Sequence, residues 1–296
     1  MDKWIGGWVD DPDAVEAVAA LQPFDSFGST VAGADQASIP DHIYLWDAAR
    51  KVTGGLLPPR NQGQIGSCVS FGTAAAIEYT MLTEIVQGDL EEYKPLAEEV
   101  IYAGARVEVG GGKLRGDGAY GAYAAQFVKD WGVIYRGVFG KHDLTKYDVD
   151  RCRAWGKSGV PSDIEILAKA HPIQTITRVK TWAEAKRALA NGFGIAVCAK
   201  QGFKMERDAD GFCAPGSPWN HCTCLDGYQT GSREGGHLRN SWGANSHSGP
   251  VGAGSPGTEG FWVDAKVLEG MLASGDCWAF SAFQGFLVSK IDWANL

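Results

Sequence analysis

The chain has 296 residues, of which 45% are hydrophobic, and a formal net charge of −8. This length and apolar content are sufficient for one large domain or two lobes with buried cores. The acidic balance disfavours binding to a nucleic-acid backbone. No apolar run reaches the roughly 20 residues that a bilayer-spanning helix needs. The N-terminus also lacks the basic and apolar segments of a secretory signal.

The predicted elements divide the chain into an N-terminal extension at 1–38 and a main domain at 39–296. A Gly/Ser-rich stretch at 27–37 is typical of a linker. Periodicity and capping signals predict helices at 13–21, 68–82, 96–105, 120–130 and 185–190, and strands at 193–199, 222–228, 236–240 and 260–263. We therefore expect a helix-rich lobe at about 60–160 and a β-rich lobe at about 161–296, with a surface insertion at 244–257.

The seven cysteines are too few for a disulfide scaffold, and their odd number leaves at least one thiol unpaired within the chain. A reducing cytoplasm or a virion therefore fits better than secretion. Cys213, His221, Cys222 and Cys224 are close enough in sequence to make a metal site an alternative. However, structural zinc sites usually use two cysteine pairs, whereas this segment has one C-x-C. Alternation along a strand also places Cys222 and Cys224 on the face opposite His221.

Cys68 stands where a Gly66-Ser67 turn meets the predicted buried helix. A helix N-terminus carries partial positive charge, which stabilises a thiolate relative to a thiol. The position therefore suggests a nucleophile, although an arbitrary helix cysteine is more often a buried apolar residue. Gln62 lies upstream, and its amide can donate to an oxyanion beside the Cys68 backbone N–H. The alternative for Gln62 is a solvated loop residue.

His221 is the best candidate among the six histidines for the base that a thiolate needs. It opens a predicted strand, and a residue at the mouth of a strand can face a cleft. Asn240 ends a later strand, where its carbonyl can accept from the His221 ring and fix the tautomer. Trp242 can shield that bond from water. The remaining histidines have polar or turn-rich surroundings and are predicted to be surface residues: His42, His142, His171, His237 and His247.

Three segments together resemble the active-site motifs of the papain-like cysteine peptidases. Residues 61–71, Asn-Gln-Gly-Gln-Ile-Gly-Ser-Cys-Val-Ser-Phe, are similar to the family segment N-Q-G-x-C-G-S-C-W-x-F. Asn220-His221 followed by Gly227-Tyr228 resembles its histidine segment, and residues 240–243 match its N-S-W-G motif. The resemblance implies an α+β, two-lobed fold. It has a helical left lobe, a β-barrel-like right lobe and an active site in the cleft between them.

The resemblance also implies a reaction and a substrate. We expect a cysteine endopeptidase in which Cys68 attacks, Gln62 holds the oxyanion, His221 transfers protons and Asn240 orients His221, without a cofactor. Residues 117–120 resemble the N-G-G-Y segment, whose backbone pairs with the substrate residue two before the scissile bond. The predicted substrate-binding residues are Gly118, Ala119, Tyr120 and Trp242, and the expected partner is a peptide or protein.

Several positions depart from the family pattern. Val69 replaces the Trp that follows the nucleophile. Ile65 and Gly116 replace both partners of a usual disulfide, so that bridge is absent as a whole. Ala119 replaces the second Gly and adds a methyl at the backbone contact. The insertion at 244–257 follows the N-S-W-G motif, near the expected leaving-group side. The last two departures predict restricted access for peptides.

Two other functions remain open at this level. The extension at 1–38 is much shorter than the family's inhibitory helical propeptide. A structural or binding role in an assembly such as a phage particle, with the extension contacting a partner, is therefore one alternative. Transpeptidation or attack on other amides is a second, because all these reactions share the acyl-enzyme.

Overall fold

The computed structural model describes residues 6–89, 92–252, 254 and 257–296. The α-helices are α1 (Pro12–Ala19), α2 (Val31–Ala34), α3 (Leu45–Thr53), α4 (Cys68–Gln87), α5 (Glu98–Gly104), α6 (Gly121–Asp130), α7 (Val149–Ser158), α8 (Ser162–Ala168), α9 (Trp182–Ala190) and α10 (Ala265–Ala273). The strands are β1 (His42–Tyr44), β2 (Val138–Phe139), β3 (His142–Asp143), β4 (Thr175–Arg178), β5 (Ile195–Ala199), β6 (Gly202–Arg207), β7 (Cys213–Gly216), β8 (His221–Gln229), β9 (Gly235–Arg239), β10 (Gly260–Asp264) and β11 (Cys277–Ser281). Insertion positions 253, 255 and 256 lie outside the described residues.

Helix α4 forms the centre of the fold. Its residues from Cys68 to Glu84 are all buried, because small and apolar side chains cover nearly every side of the helix. It packs against α3, α5 and α6 on one side and against β5, β8 and β11 on the other. Gly88, with φ of 83°, ends the helix in the left-handed conformation. Neither α4 nor any other helix in the described part combines the length and apolarity needed to cross a membrane.

One antiparallel sheet organises the second half of the chain. Its strand order is β10-β9-β8-β5-β11-β4, and β1 pairs with the far end of β8. The β8 residues from His221 to Tyr228 are all buried, since the strand is paired on both edges and α4 covers one face. His221 opens β8 opposite Ala199, the last residue of β5. The start of β8 therefore lies at an end of the sheet.

The predicted succession of helices followed by strands agrees with this α+β architecture. Helix α9 starts at Trp182, because Thr181 caps it by accepting from the Glu184 N–H at 3.1 Å. The predicted linker at 27–37 contains a short helical turn and α2. Phe27 of this stretch is fully buried and packs edge-on against Phe286, at 5.3 Å between ring centroids. The division of the chain at residue 38 stays a prediction.

Two of the five histidines predicted to lie on the surface are buried instead. His237 is 2% exposed, and its Nδ1 lies 2.6 Å from an oxygen of Asp226 on the neighbouring strand. His247 is also 2% exposed, and its ring stacks on Phe261 at 4.4 Å between centroids. The prediction was wrong because it used only immediate neighbours in sequence, whereas both rings are buried by other strands that pack against them.

Candidate active site

Cys68 is the first residue of α4 and is fully buried. Burial raises the pKa of its thiol well above the ordinary value, and the neighbouring Cys222 raises it further. Backbone hydrogen bonds from Cys222, Gly7 and Val69 act in the opposite direction. Desolvation is the largest of these effects, so burial in this structure favours the thiol over the thiolate.

His221 and Asn240 form the contact that the sequence suggested. His221 Nε2 lies 2.8 Å from Asn240 Oδ1, which makes Nε2 the protonated ring nitrogen because the amide oxygen can only accept. Nδ1 is then the basic nitrogen, and it is buried without a hydrogen-bond partner among the described residues. The Trp242 ring covers the imidazole at 4.4 Å between centroids. Burial lowers the pKa of His221 to about 4, and the bond to Asn240 acts in the opposite direction.

A short backbone pairing joins the loop before Cys68 to the segment after Asn240. Gln62 N donates to Ser241 O at 2.8 Å, and Gly243 N donates to Arg60 O at 2.8 Å. The Gln62 side chain is fully buried, with Oε1 accepting from Ser241 Oγ at 2.6 Å and Nε2 donating to Ile65 O at 2.9 Å. The predicted oxyanion donor is thus fixed between the two motifs rather than solvated.

The start of α4 and the start of β8 are in direct contact. Cys68 is near enough to Cys222, the residue after His221, for the Cys222 backbone to lower the pKa of the Cys68 thiol. One turn further along α4, a Cβ on Gly72 would lie 2.7 Å from the Cys222 sulfur, so the helix and the strand touch there. Cys68, Gln62, His221, Asn240 and Trp242 therefore come together where α4 and β8 begin.

Arg106 shapes the loop that contains the predicted substrate-binding residues Gly118, Ala119 and Tyr120. This buried guanidinium donates to the carbonyl of Gly118, to that of Gly116 at 2.7 Å and to that of Leu114 at 3.1 Å. Tyr120 follows as the N-cap residue of α6. The sequence analysis missed Arg106, because no motif relates it to a loop about ten residues further along the chain.

The backbone of Ala119 pairs with an extended segment of the chain itself. We call residues 6–10 the N-terminal segment. Ala119 N donates to Gly7 O at 2.9 Å, and Val9 N donates to Ala119 O at 3.0 Å. On the opposite side, the N–H groups of Gly7 and Trp8 both donate to Asn220 O at 3.0 Å. The N-terminal segment therefore lies between the loop before α6 and the residue before His221.

Two glycines allow this close passage. A Cβ on Gly7 would lie 2.0 Å from Gly66 O, just before the nucleophile segment. A Cβ on Gly6 would lie 2.0 Å from Trp219 O, just before the histidine segment. Both contacts are with backbone atoms, which cannot rotate away as side chains do. The N-terminal segment thus passes through a gap that excludes every residue larger than glycine at these two positions.

Trp8 anchors the N-terminal segment to a buried carboxylate. Its ring is 4% exposed, and Nε1 donates to Asp276 Oδ2 at 2.6 Å. Asp276 also accepts from Gly121 N and from Trp278 Nε1, each at 2.8 Å. Burial raises the pKa of Asp276, and the bonds from Trp278 and Trp8 act in the opposite direction.

The sequence analysis missed both anchoring points of the N-terminal segment. For Asn220 the residue type is a weak signal of an unusual backbone conformation, because asparagine tolerates the left-handed region better than most residues. The structure shows that conformation, with a φ of 49°. Nothing local marks Asp276 as the partner of a tryptophan 268 positions away.

A comparison with protein-family models gives no match, and neither does a comparison with curated proteins. Solved structures do match. Xylellain, a cysteine protease from Xylella fastidiosa, aligns with a TM-score of 0.64 and 18% identity, over 96% of this chain and 99% of that one. Procathepsin L 3 from the Tenebrio molitor larval midgut aligns with a TM-score of 0.54 and 13% identity, over 93% and 79% of the two chains.

The proform of Amb a 11, a cysteine protease and ragweed pollen allergen, aligns with a TM-score of 0.53 and 15% identity, over 93% of this chain and 76% of that one. Each of these alignments spans more than nine-tenths of the chain, so the likeness extends well beyond the motifs. The architecture that the sequence motifs implied is confirmed, and the chain has the fold of the papain-like cysteine proteases.

Proposed function

We propose that this chain is a papain-type cysteine endopeptidase that its own N-terminal segment keeps latent. The observation that carries the proposal is the His221–Asn240 contact of 2.8 Å, which makes Nδ1 the basic ring nitrogen of a histidine that opens the strand against which α4 packs. A nucleophile, a base and a group that orients the base form the minimal set for acyl transfer through a thioester.

The proposed reaction has two stages. The Cys68 thiolate attacks the peptide carbonyl, while the Gln62 amide and the Cys68 N–H donate to the oxyanion. His221 protonates the leaving amine as the C–N bond breaks and leaves a thioester on Cys68. It then takes a proton from the water that hydrolyses the thioester. Asn240 holds the tautomer that both stages use.

Latency is proposed because the N-terminal segment uses the backbone groups that an extended substrate needs. It occupies the hydrogen-bonding groups of Ala119 and the carbonyl of Asn220. The Gly7 backbone is near enough to Cys68 to lower the pKa of its thiol, while the Gly7 N–H donates to Asn220 and the Gly7 carbonyl accepts from Ala119. The N-terminal segment therefore passes beside Cys68 and occupies the path by which an extended substrate would reach the sulfur. The procathepsin and the proform among the similar structures give this state a precedent.

The test uses the full-length chain with Trp8→Ala, which removes the anchor without touching the proposed catalytic groups. We expect this variant to cleave members of a diverse peptide library and to react at Cys68 with an epoxide-type cysteine peptidase reagent. Adding Cys68→Ala should abolish cleavage, and adding His221→Ala should abolish the labelling. A folded Trp8→Ala protein that neither cleaves nor reacts would refute the proposal.

The full burial of Cys68 favours a second candidate, a papain-like module that binds within an assembly and performs no catalysis. This candidate predicts that Cys68 stays unreactive even after the N-terminal segment is released. Transpeptidation would leave labelling intact but transfer the acyl group to an added amine. Mass analysis of the products in ¹⁸O-labelled water, with and without that amine, separates transfer from hydrolysis.

A further inference from the structure

A second cavity lies at the end of α4 that is remote from Cys68. Its volume is about 540 Å³, which is within the range of ordinary small-molecule sites. Glu84, on its wall, is 16 residues after Cys68 in the same helix. At 1.5 Å per residue the two are about 24 Å apart along the helix axis. The cavity is therefore separate from the proposed active site.

Glu84 contributes to the wall of this cavity, and one of its carboxylate oxygens has no hydrogen-bond partner among the described residues. Its side chain is 3% exposed, and Oε1 accepts a single long bond, from Ala282 N at 3.3 Å. Oε2 is buried and has no hydrogen-bond partner among the described residues. Leaving a buried carboxylate oxygen unpaired is costly, and such groups in native proteins usually have a partner. Burial accordingly raises the pKa of Glu84 to about 8.

The charges around the cavity favour a positively charged partner. Asp89 and Asp292 also line it, while Lys290 is the only basic residue among the described lining residues. The C-terminus of α4 adds partial negative charge, and its last turn contains no basic residue to offset it. A cation in the cavity would interact favourably with all of these groups.

Part of the remaining wall is apolar and open to solvent, beside the polar residues Gln87, Asn191, Ser281 and Asn295. Leu287, Val288 and Phe283 line it with exposed fractions of 61%, 42% and 36%, and the buried ring of Phe193 lies beside them. These side chains belong to the larger exposed hydrophobic residues of the described chain. An occupant with a hydrocarbon body would cover them, whereas a small hydrated metal ion would not.

We propose that this cavity binds a small organic ammonium whose N–H donates to the Glu84 carboxylate and whose hydrocarbon body packs on Leu287 and Val288. The site is independent of the proposed peptidase function. It takes a primary amine attached to an aliphatic or aromatic group. Binding draws the proton from Glu84, so affinity rises as the pH increases from 6 to about 8.

The test uses n-hexylammonium as the probe and 1-hexanol as its neutral counterpart. Calorimetric titrations at pH 8.5 compare the wild-type chain with Glu84→Gln. Glu165→Gln is the control, since Glu165 pairs on the surface with Lys169 at 3.1 Å. We expect Glu84→Gln to weaken hexylammonium binding at least tenfold and to abolish its advantage over hexanol. Glu165→Gln should behave as wild type.

Methyl NMR locates the probe and guards against a folding defect in the variant. The methyl signals of Leu287 and Val288 should shift as hexylammonium is added to the wild-type chain, and melting curves should show that Glu84→Gln is folded. Equal hexylammonium affinity in wild type and Glu84→Gln would overturn the proposal. Equal affinity for hexanol and hexylammonium, unmoved methyl signals or no binding would overturn it as well.

Discussion

The bond between Trp8 and Asp276 offers the sharpest test of how the N-terminal segment is held. Trp8→Phe retains an aromatic ring but removes the Nε1 donor that lies 2.6 Å from Asp276 Oδ2. Asp276 keeps its bonds from Gly121 and Trp278, so the carboxylate stays in place. The substitution therefore weakens the attachment of the N-terminal segment and leaves the surrounding pocket intact.

The size of the effect follows from the burial of this bond. A hydrogen bond to a buried charged group contributes about 1.5–3 kcal/mol. We call the state in which the N-terminal segment has left the site the open state. Trp8 lacks this bond in the open state, so Trp8→Phe should favour the open state by the same free energy. With about 1.4 kcal/mol per factor of ten, the population of the open state should rise about 10- to 100-fold. If Cys68 reacts only in that state, its alkylation rate should rise by the same factor.

The assay is alkylation of Cys68 by iodoacetamide, followed by mass spectrometry of the peptide that contains it. Cys152, buried in α7, reports global unfolding in the same sample. Trp293→Phe is the matched control, because Trp293 Nε1 donates to the Ala190 carbonyl at 2.9 Å, in a bond that does not involve the N-terminal segment. An unchanged Cys68 rate in Trp8→Phe, or an equal rise at Cys152, would refute the reasoning.

Three further predictions follow from the site and the second cavity. Gln62→Ala in the Trp8→Ala background should lower kcat by about 10²–10³ on a cleaved peptide, and an unaltered kcat would exclude an oxyanion role. NMR titration should find the pKa of His221 near 4 in wild type and closer to 6.5 in Trp8→Ala, because water then reaches the ring; equal midpoints would contradict this. The pKa of Glu84 is about 8 in the folded state and about 4.5 in the unfolded state. As the pH rises from 4.5 to 8, the unfolding free energy should therefore fall by up to about 1.4 kcal/mol per pH unit. Glu84→Gln should remove this slope in denaturant titrations, and a slope equal to wild type would show that the carboxyl is ionised throughout.

The lowered pKa of His221 also predicts how acid affects the binding of the N-terminal segment. The closed state holds the pKa of His221 at about 4, so it binds fewer protons than an open state with an ordinary pKa. Lowering the pH from 6.5 towards 4 should therefore favour release of the N-terminal segment, by at most tenfold per pH unit.

Local signals in the sequence were sufficient to predict where the site residues lie within their elements. The helix that begins at Cys68 was predicted from a Gly-Ser turn followed by small apolar residues. The strand that begins at His221 and the position of Asn240 just after β9 were predicted from short apolar runs between glycine-rich turns. Each of these signals depends on residues within one turn or one strand, which a sequence displays directly.

Contacts between distant segments could not be predicted in this way. The N-terminal segment was interpreted as part of an extension. Glycines such as Gly6 and Gly7 fit a flexible chain as well as a close backbone approach, so the sequence alone does not distinguish the two. Only the approach of Gly66 and Trp219 from either side shows that glycine is required there. The burial of His237 likewise depends on Asp226 on a neighbouring strand.

The closed state suppresses the proposed reaction in two ways that are physically distinct. In the proposed latent state, the N-terminal segment blocks the approach of a peptide, and it also excludes water that would stabilise a thiolate and an imidazolium. Burial raises the pKa of Cys68 and lowers that of His221, so it favours the neutral form of each group and disfavours the ion pair. A barrier to access alone would leave the reactivity of the thiol unchanged once a small reagent had entered. Desolvation adds a chemical barrier that even a small reagent meets, so release of the N-terminal segment is expected to activate the thiol as well as expose it.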